Sequence, residues 1–209
     1  MAVFINAKLD ALLEATSRSF YPTLKYLPKK IRGHIGQLYL LARVADTIAD
    51  SKHGETEVLM EILKQYNDVA QGRSSYLPDF SEIAGIQENE NEAELLRNVE
   101  EVIAGLTGCD EVDRKLILEC LDIIVEGQML DLQRFGTAKE GGSISALNSE
   151  EELDDYAYRV AGSVGVFWSK MSLTHLIKLP TGKEEEFLQK GIRFGKALQM
   201  INILRDIPE

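Results

Sequence analysis

The chain has 209 residues, 44% of them hydrophobic and 27% charged, with a formal net charge of −11. That length suffices for one domain with a buried core, and so acidic a surface argues against nucleic acid as a partner. The two cysteines, Cys109 and Cys120, have no metal-ligand company and need not pair, which fits a reduced, cytosolic protein.

In chain order the pattern is helical nearly throughout. The opening MAVFINAKLDALLEATSRSF is broken by Lys8, Asp10 and Glu14, unlike a signal peptide, and Lys8 to Phe20 reads as a short first helix. Pro28 opens a long helix to about Ala49, with His53-Gly54 as its stop. Glu57 to Gln71 is a second amphipathic segment, and Gly72 to Gln87, with Pro78 and Gly85, reads as loop or short turns. Asn91 to Leu106 and Asp110 to Phe135 are helical, broken at Gly105 and Gly108, and Gly136 to Ser149 reads as a Gly/Ser loop. Asn148 or Ser149 can cap the next helix, which has Glu150 to Glu152 at its positive end and runs to about Lys178. Pro180-Thr181-Gly182 breaks the chain before a last helix from Glu184 to Ile207. No apolar run approaches the roughly 20 residues of a membrane span. Helices this long must bury faces against one another, so the expected fold is a single all-α domain over residues 1–209.

Two helical stripes about 160 residues apart carry the chemistry. The first is Tyr39, Arg43, Asp46 and Asp50, at steps of three or four along one face. Asp46 and Asp50 stand one turn apart, roughly 5–6 Å, and two carboxylates that close repel unless a cation lies between them. Hard oxygen donors of this kind suit Mg²⁺ when it also carries substrate phosphates. Arg43 offers a fork of donors that fits phosphate oxygens, and Arg18 is a candidate second phosphate contact. From Ala15 to Ala45 there is no acidic residue, while Arg18, Lys25, Lys29, Lys30, Arg32 and Arg43 all fall there. A surface ion pair and a solvated basic face explain these residues equally well. The second stripe is Gly195, Gln199, Asn202 and Asp206, within about 60° on a helical wheel, with Ala197, Met200, Ile201 and Leu204 over much of the other side. Amide and carboxylate oxygens so spaced can share an ion, and a polar face of an amphipathic helix has the same pattern. Facing each other, the stripes would clamp a diphosphate. Between them, Ala161, Gly162, Ser163 and Gly165 make a turn almost without side chains, at a cost of roughly 1 kcal/mol per glycine. Close helix packing, a kink or room for an apolar ligand would compensate.

Four segments, in order, resemble conserved blocks of the squalene/phytoene synthase family: SRSFYPTLKYLPKKIRGHIGQLYLLARVADTIAD, EGQMLDLQRF, DDYAYRVAGSVG and GKALQMINILRDIPE, together spanning residues 17–209. The resemblance implies an isoprenoid synthase fold, a helical bundle around a central cavity, and Mg²⁺-dependent head-to-head condensation of two prenyl diphosphates, farnesyl diphosphate foremost. In squalene synthases, NADPH then reduces the cyclopropyl intermediate. On the matching positions it implies that Asp46, Asp50, Asn202 and Asp206 hold metal. Ser17, Arg18, Ser19, Tyr39, Arg43, Gln199 and Arg205 would bind substrate, Gly165 and Gly195 would leave room for the prenyl tails, and Tyr156 would stand near the reacting carbons. Asp46, Asp50, Asp206 and Tyr156 are thus the expected catalytic set. Thr47 replaces the second Asp of the D-D-x-x-D common in phytoene synthases, and the D-T-x-x-D form with S-R-S-F leans towards squalene synthase. A phytoene or dehydrosqualene synthase, with no reduction step, is the nearest alternative. A non-catalytic binding or assembly member of the family is another, against which the retained aspartates weigh. The family pattern continues with an Asp after Glu209 and with further helices, so a truncated chain is expected. An oil-soluble product implies a cytosolic protein that touches membranes.

Overall fold

The structure, a computed structural model, describes residues 5–51, 55–139 and 146–206, and only the backbone of Ser19 and of residues 137–139. The described residues are helical, without strands. The chain divides into two compact units, residues 1–143 and 144–209.

The first unit is built around α3 (Lys29–Ala49), which packs against α8 (Glu111–Lys139), α4 (Thr56–Ala70) and the short helices α1 (Ala7–Ser17), α6 (Glu90–Arg97) and α7 (Val99–Ala104). Leu40, Leu41, Val44, Ala45 and Ile48 of α3 are fully buried, with Leu63 and Tyr66 of α4 and Ile117, Leu121 and Val125 of α8. Two buried polar side chains tie this core to backbone carbonyls. The Tyr66 hydroxyl donates to the Leu41 carbonyl at 2.8 Å, and Gln37 Nε2 donates to the Val102 carbonyl at 2.6 Å.

Several expected boundaries move. The first helix ends at Ser17, and residues 18–20 form a 3₁₀ turn leading into α2 (Tyr21–Tyr26), whose first turn holds Pro22. Pro28 does precede α3, and Asp50 caps its far end; the expected stop at His53-Gly54 lies outside the described residues. Within the expected loop 72–87, α5 spans Ser81–Gly85. The helix expected from Asn91 breaks at Asn98, before Gly105. Helix α8 continues through Gly136, where a Cβ would meet the Thr56 side chain, so tight packing overrides the low propensity of glycine. Residues 140–145 of the expected Gly/Ser loop lie outside the described residues. Cys109 and Cys120 are buried and unbridged, and burial pushes the Cys109 thiol up to about 12.

The second unit holds α9 (Glu150–Ala157), a π turn at Tyr158–Gly162, α10 (Ser163–His175) and α11 (Glu184–Asp206). Ser149 caps α9, its hydroxyl accepting the Glu152 N–H at 3.3 Å. Gly182, at φ 82°, turns the chain ahead of α11. The small residues at 161–165 serve close packing and a π turn together. A Cβ at Gly165 would strike the Gly191 carbonyl, and one at Gly195 would strike the Ala161 carbonyl. The packed face of α11 is therefore its glycine face; the apolar residues Phe194, Leu198, Ile201 and Leu204 are exposed.

Candidate active site

In the first unit, α3 carries Tyr39, Arg43 and Asp46 along one face, as the spacing requires. Asp46 is partly buried, and its Oδ1 accepts a hydrogen bond from Gln128 Nε2 on α8. Burial pushes the Asp46 carboxyl up to about 6; Arg43 and the Gln128 bond pull against that shift, while Asp50 and Glu92 add to it. Asp50 sits one turn on, exposed, its N–H bonded to the Asp46 carbonyl at 2.8 Å. Three residues beyond Gln128 on the same helix, burial likewise pushes Asp131 up to about 6, against the pull of Arg134. Asp131 Oδ1 and Gln128 Oε1 are buried without hydrogen-bond partners. The partnerless Gln128 amide oxygen, on a side chain bonded to an acid that resists ionising alone, is an oxygen of the kind a hard divalent cation satisfies. Asp46 and Asp50 are the carboxylates that the family resemblance assigns to Mg²⁺, and their oxygen chemistry fits it.

The basic side of the same unit is equally built. Glu92 Oε1 on α6 receives Arg43 Nη2 at 2.5 Å, Asn89 Nδ2 at 3.1 Å and, more distantly, Arg18 Nη2 at 3.5 Å. Arg43 Nε is buried with no partner. The Tyr39 hydroxyl donates to the Thr16 carbonyl at 3.2 Å, and its ring stacks on Phe20 with centroids 5.9 Å apart. Burial raises the Tyr39 phenol, whose charge neighbours are Arg43, Asp46, Arg18 and Glu92. That set of neighbours shows that the fold gathers Arg18, Tyr39, Arg43 and Asp46 into one place. Ser17 is buried and its hydroxyl donates to the Leu13 carbonyl at 2.5 Å, within its own helix. The Ser19 side chain lies outside the described residues. Thr47 is buried, and its hydroxyl is engaged by the Arg43 carbonyl at 2.8 Å.

In the second unit, Gln199 Nε2 donates to the Tyr156 hydroxyl at 3.3 Å, which joins two of the expected residues. Gly165 and Gly195 face helix backbone, as described above. Asn202 and Asp206 are exposed near the end of α11, and Asp206 pairs with its neighbour Arg205 at 3.2 Å. Glu92, Gln128 and Asp131 are the residues that sequence reasoning missed. Asp131 lies inside the quoted EGQMLDLQRF segment, one helical turn from Gln128, and that spacing was its available signal.

A family model described as squalene/phytoene synthase matches residues 13–209. Among curated proteins, the chain is 29% identical over 199 residues to the bifunctional lycopene cyclase/phytoene synthase of Aspergillus oryzae, covering 93% of this chain and 32% of that one. It is 26% identical to the squalene synthase of Schizosaccharomyces pombe, covering 95% and 40%. It is 27% identical to the presqualene diphosphate synthase of Rhodopseudomonas palustris, covering 93% and 56%. The chain thus spans about a third to just over half the length of these relatives. A solved structure of TcSQS in complex with the ligand E5700 superposes with a TM-score of 0.71 at 20% identity, covering 95% of this chain and 52% of that chain, which shows the isoprenoid synthase fold. With nearly all of the sequence matched by one family model, the chain belongs to the squalene/phytoene synthase family.

Proposed function

We propose that the protein carries out head-to-head condensation of two farnesyl diphosphates, through presqualene diphosphate, to squalene. The observation that carries this reading is the gathering of Arg43, Asp46 and Asp50 on one face of α3 with Gln128 of α8 and Arg18 of the turn after α1. Mg²⁺ held there would neutralise the diphosphate and make it a better leaving group. Arg43 and Arg18 present guanidinium donors that grip and orient the phosphate oxygens. Gln128 fixes the direction of the Asp46 carboxylate. Tyr156, its hydroxyl oxygen held by Gln199, offers an allylic cation the face of its ring and a fixed phenol dipole. Asn202 and Asp206 are proposed as the second metal-binding pair, with Arg205 as a further substrate contact.

The D-T-x-x-D form of the first motif, together with S-R-S-F, supports the squalene reading. NADPH is the reductant that reading requires. A phytoene or dehydrosqualene synthase is the second reading, favoured by the likeness to the Aspergillus protein. No described helix is long and apolar enough to cross a membrane; we place the protein in the cytoplasm, in contact with a membrane surface that receives the oil-soluble product. Product analysis with farnesyl and geranylgeranyl diphosphates, with and without NADPH, tests the reaction. Squalene formed only with NADPH is the expected result. A hydrocarbon unchanged by NADPH overturns the squalene reading, and unaltered behaviour of Asp46→Asn overturns the enzymatic one.

A further inference from the structure

Glu92 belongs to the basic side of the site, yet nothing in the reaction proposed above uses it. Its side chain is only 18% exposed, and a single oxygen, Oε1, draws in guanidinium groups from two separate elements, Arg43 of α3 and Arg18 of the turn after α1. These are the two arginines expected to grip a diphosphate. The fit is poor for a permanent structural ion pair. Arg43 meets Glu92 through Nη2 alone, and its Nε is left buried and without a partner. A guanidinium fork is best matched by two oxygens at once, and a buried N–H without an acceptor is costly. Arg18 is the one described non-glycine residue with positive φ, at φ 48° and ψ −117°, a strained backbone of the sort retained where a side chain must be aimed. Asn89, one turn earlier, ties the same Glu92 oxygen at 3.1 Å and holds the carboxylate in this position.

We propose that Glu92 stands in for the diphosphate of the substrate, occupying Arg43 and Arg18 until phosphate oxygens displace it. A diphosphate has the further oxygens that Arg43 Nε lacks, so displacement exchanges a one-point contact for a fork. Glu92 keeps two like-charged arginines together in the meantime and sets how tightly a phosphorylated ligand, substrate or released pyrophosphate, is held. This inference rests on the reading of Arg43 and Arg18 as phosphate contacts.

The experiment measures calorimetric binding of inorganic pyrophosphate in the presence of Mg²⁺ to the wild type, Glu92→Gln and Arg43→Ala, with the fold of each checked by circular dichroism. Glu92→Gln keeps the shape and removes the charge. It should bind pyrophosphate about fivefold more tightly, the gain expected when one partly exposed ion pair no longer competes. Glu92→Ser should do the same, and serves if glutamine disturbs α6. Arg43→Ala should bind at least about tenfold more weakly. Unchanged or weaker binding in both folded Glu92 variants, with Arg43→Ala weakened, overturns the stand-in and makes Glu92 a structural anchor of the arginines. Unchanged binding in Arg43→Ala overturns the underlying reading of the basic pair itself.

Discussion

Asp46 is a carboxylic acid whose surroundings favour its proton until a cation arrives. Its folded pKa, about 6, lies above the ordinary 3.8, so the folded state holds the proton more tightly than the unfolded chain does. Stability from this group is therefore complete below about pH 4 and is lost as pH rises through 6, by up to about 3 kcal/mol for a shift of roughly two units. Asp131 acts in the same sense. Thermal melts of metal-free protein between about pH 4 and pH 8 should show Asp46→Asn gaining on the wild type as pH rises, and added Mg²⁺ should restore the wild type at the alkaline end. Parallel melting profiles for the two proteins would refute this. Gln128 is open to a companion test. Gln128→Met keeps the volume and removes the donor to Asp46 Oδ1; binding of Mn²⁺, followed by electron paramagnetic resonance, should weaken about 10- to 100-fold. At this scale the sequence showed the helix-borne set well, because Tyr39, Arg43, Asp46 and Asp50 obey one period. It concealed Glu92, which sits in the run QENENEAE and looks like any solvated acidic face. Only the packing of α6 against α3 reveals it, and such a contact between elements has no spacing signature.

Helices here are limited more by what touches them than by their own propensities. Gly136 and Gly105 have low helix propensity, yet α8 runs through the first because the Thr56 side chain fills the place of a Cβ. Asn98 breaks a helix that its neighbours would extend, its side-chain amide turning back to the Glu94 carbonyl at 2.7 Å. In the second unit the contact of α10 with α11 depends on glycines meeting backbone, Gly165 against Gly191. Gly165→Val should therefore separate that pair and destabilise the protein by about 3 kcal/mol or more, the upper range for overpacking. Gly85→Ala, at the end of α5 with nothing within 4 Å of the new methyl group, should be neutral or stabilising by up to about 1 kcal/mol. Urea denaturation of the two variants gives the comparison. Equal effects would show that the α10–α11 contact tolerates side chains, leaving these glycines available for another role. The sequence allowed three explanations for these small residues, and the backbone contacts show close packing with a π turn, because only coordinates show what lies opposite a missing Cβ.

At the scale of the molecule, sequence gave an all-helical chain with two acidic motifs, while the division into units 1–143 and 144–209 left no mark that periodicity could read. Residues 136–149 look like a loop by composition, but a loop within a domain and a junction between units share that composition. Asp46 belongs to the first unit and Asp206 to the second, so their joint role is a question about function that a double-mutant cycle can answer. If both serve one diphosphate, Asp46→Asn and Asp206→Asn should each lower turnover of farnesyl diphosphate by about 10³-fold or more, and the double variant should fall little further, since residues that act as one device fail together. The melting temperature of each single variant shows that its own unit remains folded. Losses that multiply in the double variant would mean two independent contributions, and full turnover in Asp206→Asn would remove α11 from the chemistry while leaving the Asp46 motif, with Gln128 and Arg43 around it, as the site that remains.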